Sequence, residues 1–210
     1  MTPPNPQPPS ERDTAALRAL IRARRRALGG SERRAAERTI TALLVDVGEL
    51  LCGPEQPGRP PLDVGWYLAT DGEVDLGGVV DELRDRGHRL WLPVVGPDTT
   101  MRFRRWEPRT EMTTNRYGIP EPVASADDPT AERPASGLDV VIVPSVVLDR
   151  VGHRVGFGAG YYDRALADAT VTTIGVGFAV QLVEELTPQP WDVTLDVVVT
   201  DEGVIRLGAT

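Results

Sequence analysis

The chain has 210 residues, 40% hydrophobic and 26% charged, with a net charge of −8, which is the make-up of a globular protein and not of a fibrous or disordered one. All 23 basic residues are arginine, so a Walker-type phosphate lysine, a pyridoxal Schiff base and a lysine nucleophile are excluded. One cysteine, Cys52, and two histidines, His88 and His153, exclude an intrachain disulfide, a cysteine-based zinc site and a three-histidine metal site.

Residues 1–10 contain five prolines and are expected to form a disordered tail ahead of one α/β domain over 11–210. The start carries no apolar core of a secretory signal, and no apolar run reaches the roughly 18 residues of a membrane span, so a cytoplasmic protein without a membrane partner is expected. Leu17, Leu20, Ile21 and Leu28 predict a helix over 13–28, broken by Gly29-Gly30. Ser31 suits the N-cap of a second helix to about residue 51, with Ile40, Leu43, Leu44 and Val47 as its stripe. Residues 11–38 hold nine arginines against Glu11, Asp13, Glu32 and Glu37, a local charge of +5 that leaves −13 on the rest. A solvated helix face is favoured over an RNA contact, because the acidic body repels a polyanion and no aromatics interleave.

A strand over 63–69, the turn Asp71-Gly72 and a helix from Asp75 to 86 follow, then strands over 88–95 and 101–106. Residues 107–137 read as irregular. The β-branched run 139–147 predicts a strand buried on both faces. A glycine-rich loop leads to a helix over 161–169, a strand over 172–178, a short helix over 180–186 and terminal strands over 196–200 and 204–207. This alternation predicts a three-layer α/β fold: a largely parallel central sheet flanked by helices, with the helical N-terminus packed on it.

The chemistry concentrates in 143–164, VPSVVLDRVGHRVGFGAGYYDR. Gly156, Gly158 and Gly160 alternate between a buried strand and a helix start, where backbone N–H groups can approach an anion without a Cβ in the way. The helix N-terminus adds positive potential. Arg154 can grip phosphate in a bidentate fashion, and Asp163 can hold a cation beside it. A tight turn with Asp163 as a helix cap accounts for the same residues without any ligand. The spacing is not that of a dinucleotide fingerprint.

Pro144, Asp149, Gly152, Arg154, Gly156, Gly158, Gly160, Tyr161, Tyr162 and Asp163 together resemble the signature of the 5-formyltetrahydrofolate cyclo-ligase family. The likeness extends to Leu17-Arg18 with Arg25, to 68–73 with the strand near 87–93, to 118–122, and to Asp192 and Asp196 in WDVTLDVVVT. The resemblance implies ring closure of 5-formyltetrahydrofolate to 5,10-methenyltetrahydrofolate, with ATP as cosubstrate and Mg²⁺ as metal; a monomer is expected, and the acidic body argues against a nucleic-acid partner. It implies Arg154 and Tyr161 as catalytic residues. ATP would lie against Arg18 and the run Arg154, Val155, Gly156, Phe157, Gly158, Ala159, Gly160, Tyr161 and Tyr162. Folate would contact Leu68, Glu73, Tyr117, Phe157, Gly158 and Tyr161, and the metal Asp163 and Asp196.

Thr14 stands where the family often has lysine, and Ser145, Ala159 and Trp191 are further departures. They leave open a diverged paralogue that binds folate or nucleotide without turnover. A sugar-phosphate isomerase or transferase would also use a glycine loop, but the Gly-Tyr-Tyr-Asp continuation argues against it. Cys52, His88 and His153 are read as structural, and Trp66, Trp91 and Trp106 as core.

Overall fold

The structure, a computed structural model, describes residues 11–52, 60–124, 128 and 131–207. The expected tail over 1–10 lies outside the described residues. The central sheet is built from β1 (Asp63–Gly65), β2 (Arg89–Val95), β3 (Met101–Trp106), β6 (Glu132–Arg133), β7 (Val140–Pro144), β10 (Thr172–Val176), β12 (Val197–Thr200) and β13 (Gly203–Arg206). Its order is β13-β12-β10-β7-β1-β2-β3-β6. The five inner strands, β12 through β2, pair in parallel, in registers such as Ile174↔Ile142 and Gly65↔Trp91. The outer pairings β12–β13, β2–β3 and β3–β6 are antiparallel.

Strand periodicity sorts the side chains into two cores. Ile142, Leu90, Leu92, Val197 and Val199 pack beneath α2 (Gly30–Cys52) and α3 (Gly77–Asp85), against Ile40, Leu44, Val79 and Val80. Val141, Val143, Trp91, Phe103 and Val198 face the other way, toward Leu166 of α4 (Tyr161–Leu166). Each fully buried Val or Ile contributes about 1.5–3 kcal/mol over an exposed one, so the central strands need apolar residues at every position. This is the expected three-layer α/β arrangement. Trp66 and Trp106 meet edge to face at 5.0 Å, as expected of core residues. Among the described residues no helix is long and apolar enough to cross a membrane.

Four local readings change. Helix α1 (Glu11–Arg26) does not lie on the central sheet: Leu17 and Ile21 pack on Val146 and on Val147 and Val155 of a small second sheet that begins just after it. The run 139–147 is divided after Pro144, and β8 (Val147–Asp149) leaves to join β9 (Arg154–Val155) and β11 (Leu182–Val183) in that sheet. Residues 107–137 hold a hairpin, β4 (Met112–Thr114) with β5 (Pro120–Pro122), because the Asn115 side-chain oxygen accepts from the Tyr117 and Ile119 amides and turns the chain. The helix expected over 180–186 is a single 3₁₀ turn, Ala179–Gln181, running into β11. There the buried Gln181 amide bonds the Phe178 N–H and the Ser145 carbonyl and so ties two loops together.

The amino-terminal rim of the sheet is closed by Asp63. Its buried carboxylate accepts from Arg89 at 2.6 and 2.5 Å, Arg133 at 2.8 Å and the Trp91 indole at 2.8 Å. Burial pushes this carboxyl up, but the bonds from Arg89 and Trp91 outweigh it and hold it below its ordinary value. His88 accepts the Leu62 amide through Nδ1 at 3.1 Å, in keeping with a structural role.

Candidate functional site

A cleft of about 1570 Å³ opens at the carboxyl ends of the parallel strands, bordered by Pro144 of β7, Pro93 and Val95 of β2 and the turn after β1. Parallel sheets present ligand sites at this end, where strand-to-helix loops diverge.

One wall is the glycine loop. The turn between β8 and β9 is pinned by Asp149, whose fully buried carboxylate accepts from the amides of Val151, His153 and Leu186 and lies 2.9 Å from His153 Nδ1. His153 is thus a prop for the turn and does not line the cleft. The loop then passes through Gly158 at φ +104° and Gly160 at φ +67°, conformations that a side chain would strain. Helix α4 spans only Tyr161–Leu166, so its dipole contributes less than the expected helix over 161–169 would. Arg18 reaches over from α1: its Nε donates to the Gly156 carbonyl at 2.8 Å, and its guanidinium carbon lies 3.7 Å from where a Cβ on Gly158 would stand.

Arg154 and Asp163, expected to hold a phosphate and a cation separately, face each other. Arg154 Nη2 lies 2.5 Å from Asp163 Oδ1, the arginine side chain 3% exposed and the aspartate 22%. Arg154 Nε is buried with no partner among the described residues.

A second stretch of the lining carries Tyr67, Leu68, Thr70, Asp71 and Glu73. Glu73 is 6% exposed. Its Oε2 accepts from the Thr70 amide at 2.9 Å and hydroxyl at 3.2 Å, while Oε1 has no partner among the described residues. Burial raises its carboxyl above the ordinary value, against the opposing pull of Thr70 and Arg25. The Tyr162 hydroxyl is likewise buried and unpartnered, and burial raises that phenol too. Unsatisfied buried polar atoms are rare, and three on one cleft, Arg154 Nε, Glu73 Oε1 and the Tyr162 hydroxyl, are what a ligand's own donors and acceptors would complete.

The mouth is framed by Tyr117 and Tyr161, perpendicular at 6.0 Å, with hydroxyls 2.9 Å apart. Arg116 donates to the Tyr161 hydroxyl, and Arg164 sits 5.9 Å from the Tyr161 ring. The bond from Tyr117 and the neighbouring guanidinium groups lower the Tyr161 phenol, and Tyr117 is raised in turn.

All the expected nucleotide and folate residues therefore border one cleft. Asp196 does not. Its Oδ2 accepts from the Thr173 amide at 2.7 Å and hydroxyl at 2.8 Å, three residues down β10 from the rim, so it joins strands and lies outside the cleft lining that holds Asp163. Asp192 of the same sequence motif does line the cleft, with Oδ2 on the Gln189 amide at 2.8 Å. Asp71, Asn115, Arg116 and Arg164 were not legible as site residues. The arginines of α1 are not all on a solvated face: Arg24 is exposed, but Arg25 is wholly buried, and Arg22, Arg25 and Arg26 all reach Asp71.

A family model described as the 5-formyltetrahydrofolate cyclo-ligase family matches residues 10–201. A 5-formyltetrahydrofolate cyclo-ligase of Escherichia coli (strain K12) is 38% identical over 146 residues, covering 67% of this chain and 79% of that protein. One from Haemophilus influenzae is 30% identical over 184 residues, covering 85% and 92%. The NMR structure of Aquifex aeolicus 5,10-methenyltetrahydrofolate synthetase superposes with a TM-score of 0.77 at 29% identity, covering 94% of each chain.

Proposed function

The chain belongs to the 5-formyltetrahydrofolate cyclo-ligase family and is an enzyme of that kind, and on that premise we propose that its cleft closes 5-formyltetrahydrofolate to 5,10-methenyltetrahydrofolate while ATP becomes ADP and phosphate. The observation that carries this reading is one cleft lined both by a glycine loop with Arg18 and Arg154 and by buried polar atoms without partners among the described residues, the Glu73 Oε1 and the Tyr162 hydroxyl.

The formyl oxygen attacks the γ-phosphorus, and the bond to ADP breaks. N10 then attacks the activated formyl carbon, phosphate leaves with the former formyl oxygen, and N10 gives up its proton. Hydroxide-like oxygen is a poor leaving group and phosphate a good one, which is why the nucleotide is consumed. Such a sequence needs alignment and charge neutralisation more than a strong acid or base, consistent with a chain without lysine and with a single cysteine.

Arg18 and the amides of 156–160 take the triphosphate, with Val155, Phe157 and Ala159 shaping the strip. Arg154, oriented by Asp163, faces the transferred phosphoryl group, and the Tyr161 hydroxyl borders the same space. Glu73 accepts from pterin N–H groups, Leu68 packs on the ring, and Tyr117 stacks on it. Among the described residues no three His, Cys, Asp or Glu side chains form a metal cluster. Mg²⁺ carried by a nucleotide needs only one or two carboxylates besides phosphate oxygens and water, and Asp163 and Asp192, which both line the cleft, meet that requirement. The ion would neutralise charge on the phosphate oxygens.

The test is growth of the methenyl absorbance after mixing the protein with 5-formyltetrahydrofolate and Mg·ATP. No growth refutes the reading, and equal growth without ATP refutes the phosphoryl step.

A further inference from the structure

Three guanidinium groups of α1 converge on a single carboxylate in the turn after β1. Asp71 receives Arg22 Nε at 2.6 Å, Arg25 Nη2 at 3.1 Å and Arg26 in a closer contact. Arg25 also donates to the Asp71 carbonyl at 2.8 Å, and Arg33 of α2 donates to the Gly72 carbonyl at 2.9 Å. Asp71 adopts φ +49°, a left-handed backbone uncommon for non-glycine residues but one that aspartate enters more readily than most, as suits a tight turn.

The two neighbours of this joint belong to different walls. Two residues on, Glu73 is gripped by Thr70 across the same turn. One helical turn before Arg22, Arg18 bonds Gly156 of the glycine loop. The apolar hold on α1 is slight: Leu17 and Ile21 pack on the small sheet, while Leu20 is 49% exposed. Ionic contacts to one carboxylate therefore carry much of the helix's placement.

We propose that Asp71 is a positioning residue that latches α1 to the 70–73 turn, so that one carboxylate sets both Arg18 over the phosphate loop and Glu73 in the folate wall. The identity of those walls rests on the cyclo-ligase reading above; the latch itself does not.

The decisive readout is crossed. A turn residue acting locally would change only the Michaelis constant for 5-formyltetrahydrofolate. A latch changes the constant for ATP as well, and Asp71→Asn is expected to raise both by about tenfold, the lower end for losing charge-assisted bonds in a partly exposed site. Arg26→Ala removes the most exposed latch partner from the other side, and it too should raise both constants, by a smaller factor. Amide hydrogen exchange in α1 should quicken in Asp71→Asn while that in β7 stays unchanged. An unchanged ATP constant in both variants overturns the latch, as does unchanged exchange in α1. If the wild-type chain makes no methenyl product, the cyclo-ligase reading fails, and hydrogen exchange alone then decides the latch.

Discussion

Glu73→Gln should make the free protein more stable and a poorer folate binder. Glu73 is 6% exposed, one of its oxygens has no partner, and burial raises its carboxyl above the ordinary 4.5. A buried polar atom left unsatisfied costs about 1–3 kcal/mol, more when charged. Glutamine keeps an oxygen for the Thr70 amide and hydroxyl and removes the charge, though it forfeits the attraction of Arg25. The expected gain at pH 7.5 is about 1 kcal/mol, which for a chain of this size raises the melting temperature by about 2–4 °C. The sign follows from linkage. A carboxyl whose folded pKa is raised costs no stability below 4.5, where it is neutral in both states, and the cost appears as pH rises through the folded value. The gain from glutamine should therefore be present at pH 7.5 and fade at pH 4. Thermal unfolding of both proteins at the two pH values measures it, and the Michaelis constant for 5-formyltetrahydrofolate should rise about tenfold or more. A variant that melts below wild type at pH 7.5, by a margin independent of pH, would show that the charge is not a burden and would refute the reasoning.

Gly158→Val should abolish ATP-dependent turnover with an unchanged circular dichroism spectrum, since φ +104° strains a β-branched side chain and that side chain would stand in the phosphate strip beside Arg18; unchanged ATP binding by calorimetry would remove the loop from the nucleotide site. Arg18→Ala should raise the Michaelis constant for ATP about tenfold to a hundredfold, a loss of about 1.5–3 kcal/mol, and affect that for folate less. The control is Arg24→Ala on the exposed side of α1, because Arg22 already holds Asp71; equal effects of the two would take α1 out of the ATP site. Asp63→Asn should lower stability by about 2–3 kcal/mol without changing either Michaelis constant, as seen in urea unfolding and steady-state rates. Asp63 sits below 3.8 in the folded protein and Asp71 at about 2, so both contributions are present above 3.8 and are lost as pH falls through the folded values, and acid unfolding should begin below about pH 4.

The glycine loop was legible because its signal is local: a β-branched strand, alternating glycines and a short helix follow one another within about twenty residues. The central strands were legible for the same reason, from alternation and β-branching. What the sequence hid was the destination of polar side chains. A charge tally cannot distinguish an arginine facing water from Arg25, which is wholly buried against Asp71. Nor can a motif with two aspartates four residues apart reveal that Asp192 reaches the cleft while Asp196 bonds Thr173 lower in the sheet. The hairpin of β4 and β5 leaves no hydrophobic pattern in the sequence, because Asn115 and Gly118 create its turn. The apparent helix over 180–186 yielded to the tertiary bonds of Gln181.

Asp63 and the cleft occupy opposite ends of β2, where Arg89 grips the first and Val95 borders the second, about 20 Å apart along the strand. Energetic effects of changes more than about 7–10 Å apart, with no shared partner, usually add. An engineer seeking heat tolerance can thus rework the Asp63 rim, and one seeking a different folate analogue can rework the turn and hairpin at the other rim. The two libraries can be screened separately and their best members joined in a single step.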